Sequence, residues 1–566
     1  MPASPFSAPL APETPARPAG STWLPSWWRR RLRLSSDQLL LAVALYFALA
    51  CNTRFLADAL AGRTASQPGT WGFALALVTM LAALHALLLA PLLHRRLARP
   101  LLALLVVAAA VAGHAIDRFG SYLDPTMLRN VLHTNWAEAR ELLGADLLGH
   151  LLLTAGLPLL LLARVELVVR PWRRALAARA ALAALALLAL LLPLWASFGD
   201  VAALMRNQRE LRYRVTPANL LYSAGRALAT PAAAAPAARR VVGADAHRGP
   251  IAAARSKPLL LVLVVGETAR AANWGLSGYA RQTTPELAAL DVLNFRDVRA
   301  CGTNTETSLP CMFAAIGRRD YDEARIRGSD SLLHVAARAG VQVRWIDNQS
   351  GCKGVCEGLA QQRLDAASQP ALCDGDRCLD EALLPALQAG ADPARGDQLV
   401  VLHMLGNHGP AYHARYPAAL RRFEPACETP ELRRCSREQI VNAYDNALLY
   451  TDQVLAQTVR WLVSQQARFD TGLVYLSDHG ESLGENGLYL HGVPYAIAPD
   501  VQTRVPMVWW LSPGLLASTG LDRGCLAAQT ARPWTHDDLF HTTLGLLDVR
   551  TTAYEPALDI AAPCRH

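Results

Sequence analysis

Apolar residues are concentrated in five runs within the first two hundred positions, and charged loops separate these runs. The second run has 23 consecutive residues without Asp, Glu, Lys or Arg, whereas about 20 apolar residues suffice for a helix to cross a bilayer. A buried core helix would explain any single run, but five in succession predict a membrane domain of five helices over residues 36–200. The runs are Leu39–Cys51, Trp71–Leu93, Leu101–Ile116, Leu147–Ala163 and Ala180–Phe198.

The pattern changes at about residue 257, where short apolar runs alternate with helical stretches. A continuous apolar run of five to eight residues is typical of a strand in a sheet that is covered on both faces. The sequence therefore predicts a C-terminal α/β domain over residues 257–566. The predicted strands are Leu259–Val265, Gln342–Ile346, Leu399–Leu405 and Thr471–Leu476.

Two further segments have simple compositions. Residues 1–35 begin with a stretch rich in Pro, Ala and Ser, which predicts a disordered N-terminal segment. Residues 201–256 contain short helical patterns and an Ala/Pro-rich stretch, which predicts interfacial helices and a linker between the domains.

The loop between the third and fourth runs, residues 117–146, is long enough to hold a helix of its own. Asp124-Pro125 is a helix-start signal, and the residues after it predict an amphipathic helix over Met127–Leu143 on the outer face of the membrane. Asn130, Thr134 and Glu138 are spaced by four and would share one face of that helix. An ordinary solvated helix face explains the same spacing.

Arginine placement predicts the orientation of the membrane domain. Basic residues cluster in Arg29–Arg33, His94–Arg99 and Arg170–Arg174, and the intervening loops are less basic. By the positive-inside rule these three segments are cytoplasmic, so the N-terminus lies inside and everything after Phe198 lies outside. The predicted location is a bacterial inner membrane, with the α/β domain in the periplasm.

Composition agrees with a protein at a lipid surface. Hydrophobic residues make up 52% of the chain and charged residues 18%, and the formal net charge is +8. A positive charge suits anionic lipid, but Arg-rich loops placed by membrane topology explain it equally well. We therefore predict no nucleic-acid partner, and we expect a monomer.

Ten of the 11 cysteines follow residue 300. So many cysteines in one half of the chain predict disulfides in an oxidising compartment, in agreement with the topology. A reduced domain or cysteine metal sites are the alternatives, but no C-x2-C pair occurs. Sequence alone does not determine the pairing. The cysteines in question are Cys301, Cys311, Cys352, Cys356, Cys373, Cys378, Cys427, Cys435, Cys525 and Cys564.

Acidic residues and a histidine follow two of the predicted strands. Glu267 comes directly after the first strand, and Asp478-His479 comes after the last. Functional groups in open α/β sheets lie at the carboxyl ends of the strands. Two carboxylates and an imidazole suit Zn²⁺ with a fourth position left for a nucleophile or substrate. Each residue alone is more simply a cap or a surface residue, but together they predict a zinc site.

The segment Cys301–Cys311 is short, rich in hydroxyl groups and bounded by cysteines. A Ser or Thr beside a divalent cation can lose its proton and attack phosphorus. A stapled turn whose hydroxyls cap a helix starting near Ser308 is the alternative. That alternative accounts for the cysteines but not for four hydroxyl groups within six positions.

Five segments together resemble the phosphoethanolamine transferases that modify lipid A. This family belongs to the sulfatase-like branch of the alkaline phosphatase superfamily and includes the mobile colistin-resistance enzymes. The resemblance covers roughly residues 36–560 and implies five transmembrane helices followed by a sulfatase-like α/β domain. The segments are Gly266–Thr268 with Arg270, Cys301–Cys311, Asp347–Val355, Gly406–Pro410 and Ser477–His491.

The resemblance also implies roles for single residues. Thr305 is the nucleophile, with Thr303 and Thr307 as its nearest competitors, and it completes a zinc site with Glu267, Asp478 and His479. The remaining implied residues lie in the substrate cleft: Lys353, His408 and His491 hold the transferred group, His403 and Ser350 lie further along the cleft, and Asn130, Thr134 and Glu138 help to bind lipid.

The chain departs from the family pattern at Gln349, where an Asn is expected. This departure leaves its contact with the head group in doubt, because Gln carries the same amide on a longer arm. The pair Cys525 and Cys564 also departs from the family pattern, and we interpret it as an addition specific to this chain.

The implied function is transfer of phosphoethanolamine from phosphatidylethanolamine to a lipid A phosphate through a phosphothreonine. Three enzyme alternatives remain: a core sugar as acceptor, a glycerol-phosphate transferase, or a phosphatase. A formylglycine sulfatase would need Cys/Ser-x-Pro-x-Arg, which the residues after Cys311 do not match. A silent membrane scaffold predicts no bound zinc, and a transporter would need charged residues within the spans.

Overall fold

The structure is a computed structural model that describes residues 31–92, 96–134, 136–229, 239–374 and 377–566. Several predicted features lie outside these residues: the first thirty residues of the N-terminal segment with Arg29 and Arg30, His94 and Arg95 of the second basic cluster, and residues 230–238 of the linker. The described chain forms an N-terminal helical domain and a C-terminal α/β domain.

The N-terminal domain consists of helices joined by short loops, with a π-helical turn between α7 and α8 and a 3-10 helix between α10 and α11. Its helices are α1 (Ser36–Ala50), α2 (Thr53–Ala59), α3 (Thr70–Leu89), α4 (Ala98–Phe119), α5 (Pro125–Leu132), α6 (Trp136–Leu142), α7 (Ala145–Leu151), α8 (Leu157–Arg164), α9 (Trp172–Ala196), α10 (Phe198–Asn207) and α11 (Ala218–Ala229).

Within the described residues, four helical segments are long and apolar enough to cross a bilayer: α3, α4, α7 with α8, and α9. The pair α1 and α2, bent by 55° at their junction, counts as a fifth span if it is taken as one. Helix α9 exposes large apolar side chains, including Leu185, Leu188 and Trp195. A helix that is apolar on all sides is expected where its surroundings are lipid.

The loop between α4 and α7 differs from the predicted single helix over Met127–Leu143. Helix α5 begins as predicted, with the Asp124 carboxylate as its N-cap, but the helical path breaks before α6. At the break the Thr134 hydroxyl donates to the Asn130 carbonyl, 2.8 Å away. Local side chain–backbone bonds of this kind compete with continued helix. Asn130, Thr134 and Glu138 therefore do not share one helical face.

The last residues of the predicted disordered segment are also ordered. Leu32–Leu34 form a short strand parallel to Val165–Leu167, and the Ser35 side chain caps α1 in a reciprocal pair with Gln38. Pairing with a second strand satisfies backbone groups that a free segment would leave to water.

The α/β domain is built on an eight-stranded sheet in the order β8-β2-β7-β6-β1-β5-β3-β4. Strand β7 runs antiparallel to both its neighbours, and the other pairings are parallel. The four strands expected from sequence are β1, β3, β5 and β6, which form the centre together with β7. The strands are β1 (Leu259–Gly266), β2 (Leu293–Arg299), β3 (Gln342–Asp347), β4 (Ala360–Arg363), β5 (Gln398–His403), β6 (Asp470–Ser477), β7 (Arg504–Leu511) and β8 (Pro533–Thr535).

Helices cover both faces of this sheet, and alternate side chains of β1 enter two separate cores. Leu261 and Leu263 pack into one core, and Leu260 and Val262 pack into the other. The helices are α12 (Pro250–Ala254), α13 (Pro285–Ala288), α14 (Thr305–Met312), α15 (Glu323–Arg327), α16 (Leu332–Arg338), α17 (Leu383–Ala389), α18 (Arg437–Ser464), α19 (Asp500–Thr503), α20 (Pro513–Thr519), α21 (Arg523–Gln529) and α22 (Asp537–Leu547).

Ten cysteines form five disulfides, and Cys51 is free. Four bonds close loops of only four to ten residues, whereas the fifth joins α21 to the C-terminus across 39 residues. The pairs are Cys301–Cys311, Cys352–Cys356, Cys373–Cys378, Cys427–Cys435 and Cys525–Cys564.

We predict that Leu263→Ala destabilises the α/β domain by about 2–5 kcal/mol, because it opens a cavity beneath the central strand. Leu263 is 1% exposed. Val463→Ala is the matched control, since its side chain is 48% exposed and should change stability by less than about 0.5 kcal/mol. Thermal unfolding of the detergent-solubilised chain measures both, and equal melting temperatures would contradict the assigned core.

Candidate active site

Two carboxylates and an imidazole meet at the carboxyl ends of β1 and β6. These neighbouring strands are parallel, and Gly266 pairs with Ser477, so the residues that follow lie at one level. Ligand atoms of Glu267, Asp478 and His479 all lie within 4.8 Å of one another, and the three side chains are fully buried. Strand pairing thus brings the predicted ligand set together.

Thr305 is the first residue of α14 and points at this cluster. Its Oγ1 lies 3.0 and 3.2 Å from the two carboxylate oxygens of Glu267 and 3.3 Å from Nε2 of His479. The Asn304 side chain caps the helix by accepting from the Thr307 N–H at 2.9 Å. The cap places the Thr305 hydroxyl at the helix N-terminus, where partial positive charge favours an anion.

The competing threonines of this loop make other contacts. Thr303 donates its hydroxyl to the Val493 carbonyl at 2.7 Å, and its own carbonyl accepts from the Gly492 N–H at 2.7 Å. Thr307 lies within α14, two residues after Thr305, and no described contact joins it to the cluster. Thr305 is therefore the hydroxyl that the fold presents to the three ligands.

His536 joins the Cys301–Cys311 loop to β6, a role that no sequence pattern indicated. Its Nδ1 accepts from the Cys301 N–H at 3.1 Å, and its Nε2 lies 3.1 Å from the Ser477 carbonyl. Burial lowers the pKa of His536 to about 3, so the ring is neutral and serves as donor and acceptor at once. The Ser308 hydroxyl adds a second tie by donating to the Asp478 carbonyl at 2.6 Å.

The ionisable side chains of the cluster are buried, and burial together with their mutual interactions shifts their pKa values. Burial and the charge of Glu267 raise the pKa of Asp478. Burial alone would lower the pKa of His479, but the Asp478 and Glu267 carboxylates raise it to about 10. Oδ2 of Asp478 is buried and lacks a hydrogen-bond partner among the described residues. Two carboxylates, an imidazole and an alcohol are donors that a divalent cation takes together, so the residues fit such an ion.

Gln349, which departs from the family pattern, contacts Glu267, one of the predicted metal ligands, directly. Its Nε2 donates to Oε2 of Glu267 at 3.0 Å, and its Oε1 accepts from the Ser350 N–H. The longer arm therefore reaches the cluster and holds one carboxylate oxygen. A side chain that orients a ligand in this way tunes affinity for a metal.

His403 lies beneath the cleft and is fully buried. Its Nδ1 is 2.8 Å from Oδ1 of Asp347, a carboxylate that also accepts from the Trp345 indole at 3.1 Å. Burial would lower the pKa of His403, but the hydrogen bond and charge of Asp347 raise it. His403 thus forms a buried ion pair under the site.

Asp380, which sequence reasoning did not single out, ties two cleft loops together. Its oxygens accept from the Leu405 and Gly406 N–H groups at 2.8 Å each and from the Asn348 amide at 2.7 Å. One carboxylate therefore fixes the loop before His408 against the loop that carries Gln349. Asp380 opens a short 3-10 helix and is followed directly by Glu381, and this sequence context gives no signal for such a role.

His408 and His491 flank the cluster. The rings of His479 and His491 are 4.5 Å apart, and those of His491 and His408 are 5.5 Å apart. Nδ1 of His491 lies 2.8 Å from Oε2 of Glu481, whose other oxygen accepts from the Tyr412 hydroxyl at 2.6 Å. This carboxylate orients His491, in the manner of a carboxylate–histidine pair.

Lys353 belongs to a different loop but lies close to the Cys301–Cys311 loop. It lies in the loop closed by Cys352 and Cys356, and its Nζ is 4.0 Å from Oε2 of Glu306, the residue after Thr305. Lys353 adopts a positive φ of 48°, and Thr268 and Leu490, which adjoin Glu267 and His491, have φ of 53° and 61°. Backbone strain of this kind concentrates at functional sites.

The membrane domain contacts the site through α5 and α6. Nδ1 of His133 lies 3.0 Å from Oε1 of Glu306, and Glu141 of α6 pairs with Arg415 at 2.5 Å. Burial and the charge of Glu267 raise the pKa of Glu138 to about 7, so Glu138 lies within electrostatic reach of the cluster. For Asn130 and Thr134, the described contact is the bond between them.

Two family models match the chain. The model described as "Phosphoethanolamine transferase EptA/EptB" matches residues 81–232, and the model described as "Sulfatase" matches residues 260–549. The first covers most of the helical domain, and the second covers the whole eight-stranded sheet apart from its first residue. The two domains thus correspond to two different family descriptions.

Similar proteins span both domains. Phosphoethanolamine transferase EptA of Escherichia coli is 38% identical over 82% of this chain and 86% of its own length. Phosphatidylethanolamine transferase Mcr-1 of Escherichia coli is 37% identical over 92% and 96%. The structure of lipooligosaccharide phosphoethanolamine transferase A from Neisseria meningitidis superposes with a TM-score of 0.90 at 36% identity, covering 94% of this chain and 100% of that one. The chain therefore belongs to the phosphoethanolamine transferase family.

Proposed function

We propose that this chain transfers phosphoethanolamine from phosphatidylethanolamine to a lipid A phosphate by way of a phosphothreonine at Thr305. The observation that carries the proposal is the contact of the Thr305 hydroxyl with Glu267 and His479 in a buried cluster. Family membership supports the transferred group, and two apolar substrates anchored in a bilayer explain why a helical membrane domain precedes the sheet.

Glu267, Asp478 and His479 would hold a Zn²⁺ ion, with Thr305 as a fourth ligand. Zinc at this position lowers the pKa of a bound alcohol and polarises a phosphoryl oxygen. Oδ2 of Asp478, which is buried without a hydrogen-bond partner among the described residues, supports this assignment. The Gln349 amide would keep the Glu267 carboxylate in its orientation.

In the first half-reaction Oγ1 of Thr305 forms a bond to the phosphorus of phosphatidylethanolamine. The bond from phosphorus to the glycerol oxygen breaks, and the proton of Thr305 ends on the departing diacylglycerol. Lys353, His408 and His491 stabilise the negative oxygens of the phosphoryl group during transfer. The product is phosphothreonine that carries ethanolamine.

In the second half-reaction a monohydrogen phosphate of lipid A attacks the same phosphorus. The new bond joins the two phosphates, the bond to Oγ1 of Thr305 breaks, and the proton of the acceptor phosphate restores the alcohol. His491 is oriented by Glu481 and is the side chain best placed to pass this proton. The substrates react in turn at one residue, which is ping-pong chemistry.

The orientation of the chain follows from the same proposal. With a cytoplasmic N-terminus and five spans in the inner membrane, residues 257–566 lie in the periplasm, where disulfides form. The chain acts as a monomer on lipids of the bilayer. The ethanolamine group offsets negative charge on lipid A and so weakens the binding of polymyxin and other cationic peptides.

We expect Thr305→Ala to abolish transfer in a Gram-negative host, with a fall of at least about 10³-fold, because the reacting oxygen is removed. Mass spectrometry of lipid A measures the added phosphoethanolamine and also distinguishes lipid A from core sugar as acceptor. Thr307→Ala is the matched control from the same helix and should keep activity. Modified lipid A from cells producing Thr305→Ala would refute the assignment of the nucleophile.

We expect Glu267→Gln and Asp478→Asn to lose bound zinc, since each replaces a charged ligand by a neutral amide. Elemental analysis of the purified chain gives the zinc content. Glu306→Gln is the control: Glu306 is 1% exposed and follows Thr305 directly, but lies outside the ligand cluster. Zinc retained by both ligand variants, or lost equally from all three, would count against the site.

We expect Gln349→Ala to weaken zinc affinity by about 10- to 100-fold, because Glu267 loses the donor that orients it. Gln349→Asn should behave similarly, since the shorter arm does not span the 3.0 Å contact. Competition with a chelator measures the affinity, and Ser350→Ala is the control from the adjacent position. Wild-type affinity in both Gln349 variants would show that the contact has no effect on the metal.

A further inference from the structure

Arg415 connects the active site to the membrane domain and is 3% exposed. Its Nε donates to the His408 carbonyl at 2.6 Å, and one terminal nitrogen donates to Oε2 of Glu141 in α6 at 2.5 Å. Since the His408 ring contacts His491, which in turn contacts His479, Arg415 lies one residue beyond the catalytic histidines, on the side that faces the membrane domain.

Positive charge converges at this point. The carboxylate of Glu141 takes Arg377 on one oxygen and Arg415 on the other, so two guanidinium groups share one carboxylate. Glu138 is a second carboxylate within electrostatic reach of Arg415, but burial and the charge of Glu267 raise its pKa to about 7.

Three nitrogen atoms in this segment are buried without a hydrogen-bond partner among the described residues. They are the second terminal nitrogen of Arg415 and the Nδ1 atoms of His408 and His413. A buried donor or acceptor left unpaired is destabilising, and a charged donor more so. Three such atoms within eight residues, beside a reacting centre, indicate a place for an anionic ligand.

The proposed reaction requires a second anion, the acceptor phosphate, beside the phosphoryl group on Thr305. In the proposed function Lys353, His408 and His491 serve the transferred phosphoryl group, so the incoming acceptor phosphate needs cationic groups of its own. A guanidinium suits a phosphate because its donors match two phosphate oxygens. The acceptor also arrives from the bilayer, and Glu141 places Arg415 against the membrane domain.

We propose that Arg415, with His413 and next to His408, forms the subsite that binds the acceptor phosphate, a phosphate monoester carried by a lipid. The inference rests on the proposed function and adds the residue that positions the second substrate. Bound there, an acceptor phosphate oxygen attacks the phosphorus on Thr305, the bond to Oγ1 breaks, and the acceptor's proton passes to Oγ1. Arg415 holds the phosphate and takes no part in proton transfer.

The test separates the two half-reactions of the full chain in detergent micelles. Diacylglycerol released from phosphatidylethanolamine without acceptor reports loading of Thr305, and discharge of the loaded enzyme by lipid A reports the second step. We expect Arg415→Gln to raise the acceptor KM about 10- to 100-fold, because the loss of hydrogen bonds to a charged group weakens binding by about that factor. Loading of Thr305 should slow by less than about 3-fold.

Two further variants separate phosphate binding from domain docking. Glu141→Gln removes the negative charge but keeps a side-chain oxygen that can accept from Arg415, so the guanidinium stays in place and the acceptor KM should stay within a few-fold of wild type. Arg415→Lys keeps the charge without the paired donors and should give a KM between those of wild type and Arg415→Gln. If thermal unfolding shows that Arg415→Gln does not fold, the acceptor KM and the loading rate of Arg415→Lys are compared with those of wild type instead.

Inorganic phosphate tests whether the site recognises the phosphate group itself. With Thr305 already loaded, it should compete with lipid A for the wild-type enzyme and compete more weakly for the Arg415 variants. The proposal is overturned if loading and discharge fall equally, if the acceptor KM does not move, if Glu141→Gln reproduces the Arg415 defect, or if phosphate does not compete. A wild-type enzyme that fails to load Thr305 would instead overturn the proposed function.

Discussion

The parallel pairing of β1 with β6 is the interaction on which the rest of this site depends. It places Glu267 beside Asp478 and His479 at the edge of the sheet, with all three side chains fully buried. Like charges so close together in a medium of low dielectric are unfavourable unless protons or a cation compensate them. The fold therefore concentrates buried charge at the position where Thr305 presents its hydroxyl, and a divalent cation held there would offset it.

Groups far apart in sequence hold this arrangement in place. His536 bonds the Cys301–Cys311 loop to β6, Asp380 bonds two cleft loops to each other, and Glu481 orients His491. Each contact is a buried hydrogen bond whose loss would leave a polar group unsatisfied, so each resists rearrangement. The disulfide that joins Cys301 to Cys311 closes this loop and limits its conformational freedom further. In the proposed reaction, a Thr305 hydroxyl on a loop held in this way needs little reorganisation during transfer.

The membrane domain contributes to the cleft as well as anchoring it. Polar contacts cross the domain boundary on two sides of the site, from His133 to Glu306 beside Thr305 and from Glu141 to Arg415 beside His408. The helices α5 and α6 that supply these pairs lie outside the spans and carry exposed apolar residues such as Leu132 and Trp136. A site assembled between a soluble sheet and the outer helices of a bundle can receive lipid head groups without extracting the lipids from the bilayer.

The sequence by itself determined the two-domain architecture, the central strands and the ligand trio. Apolar runs and strand ends are local patterns, and parallel strands bring their carboxyl ends to one edge whatever their order. Only the tertiary structure showed that Thr305, and not Thr303 or Thr307, faces the cluster. It also showed that the expected helix ends before Thr134 and that Gln349 contacts Glu267. It alone revealed His536, Asp380 and Arg415, because each of them has a partner that lies between 25 and 274 positions away. Such contacts depend on how whole elements pack, and no periodicity along the chain records them.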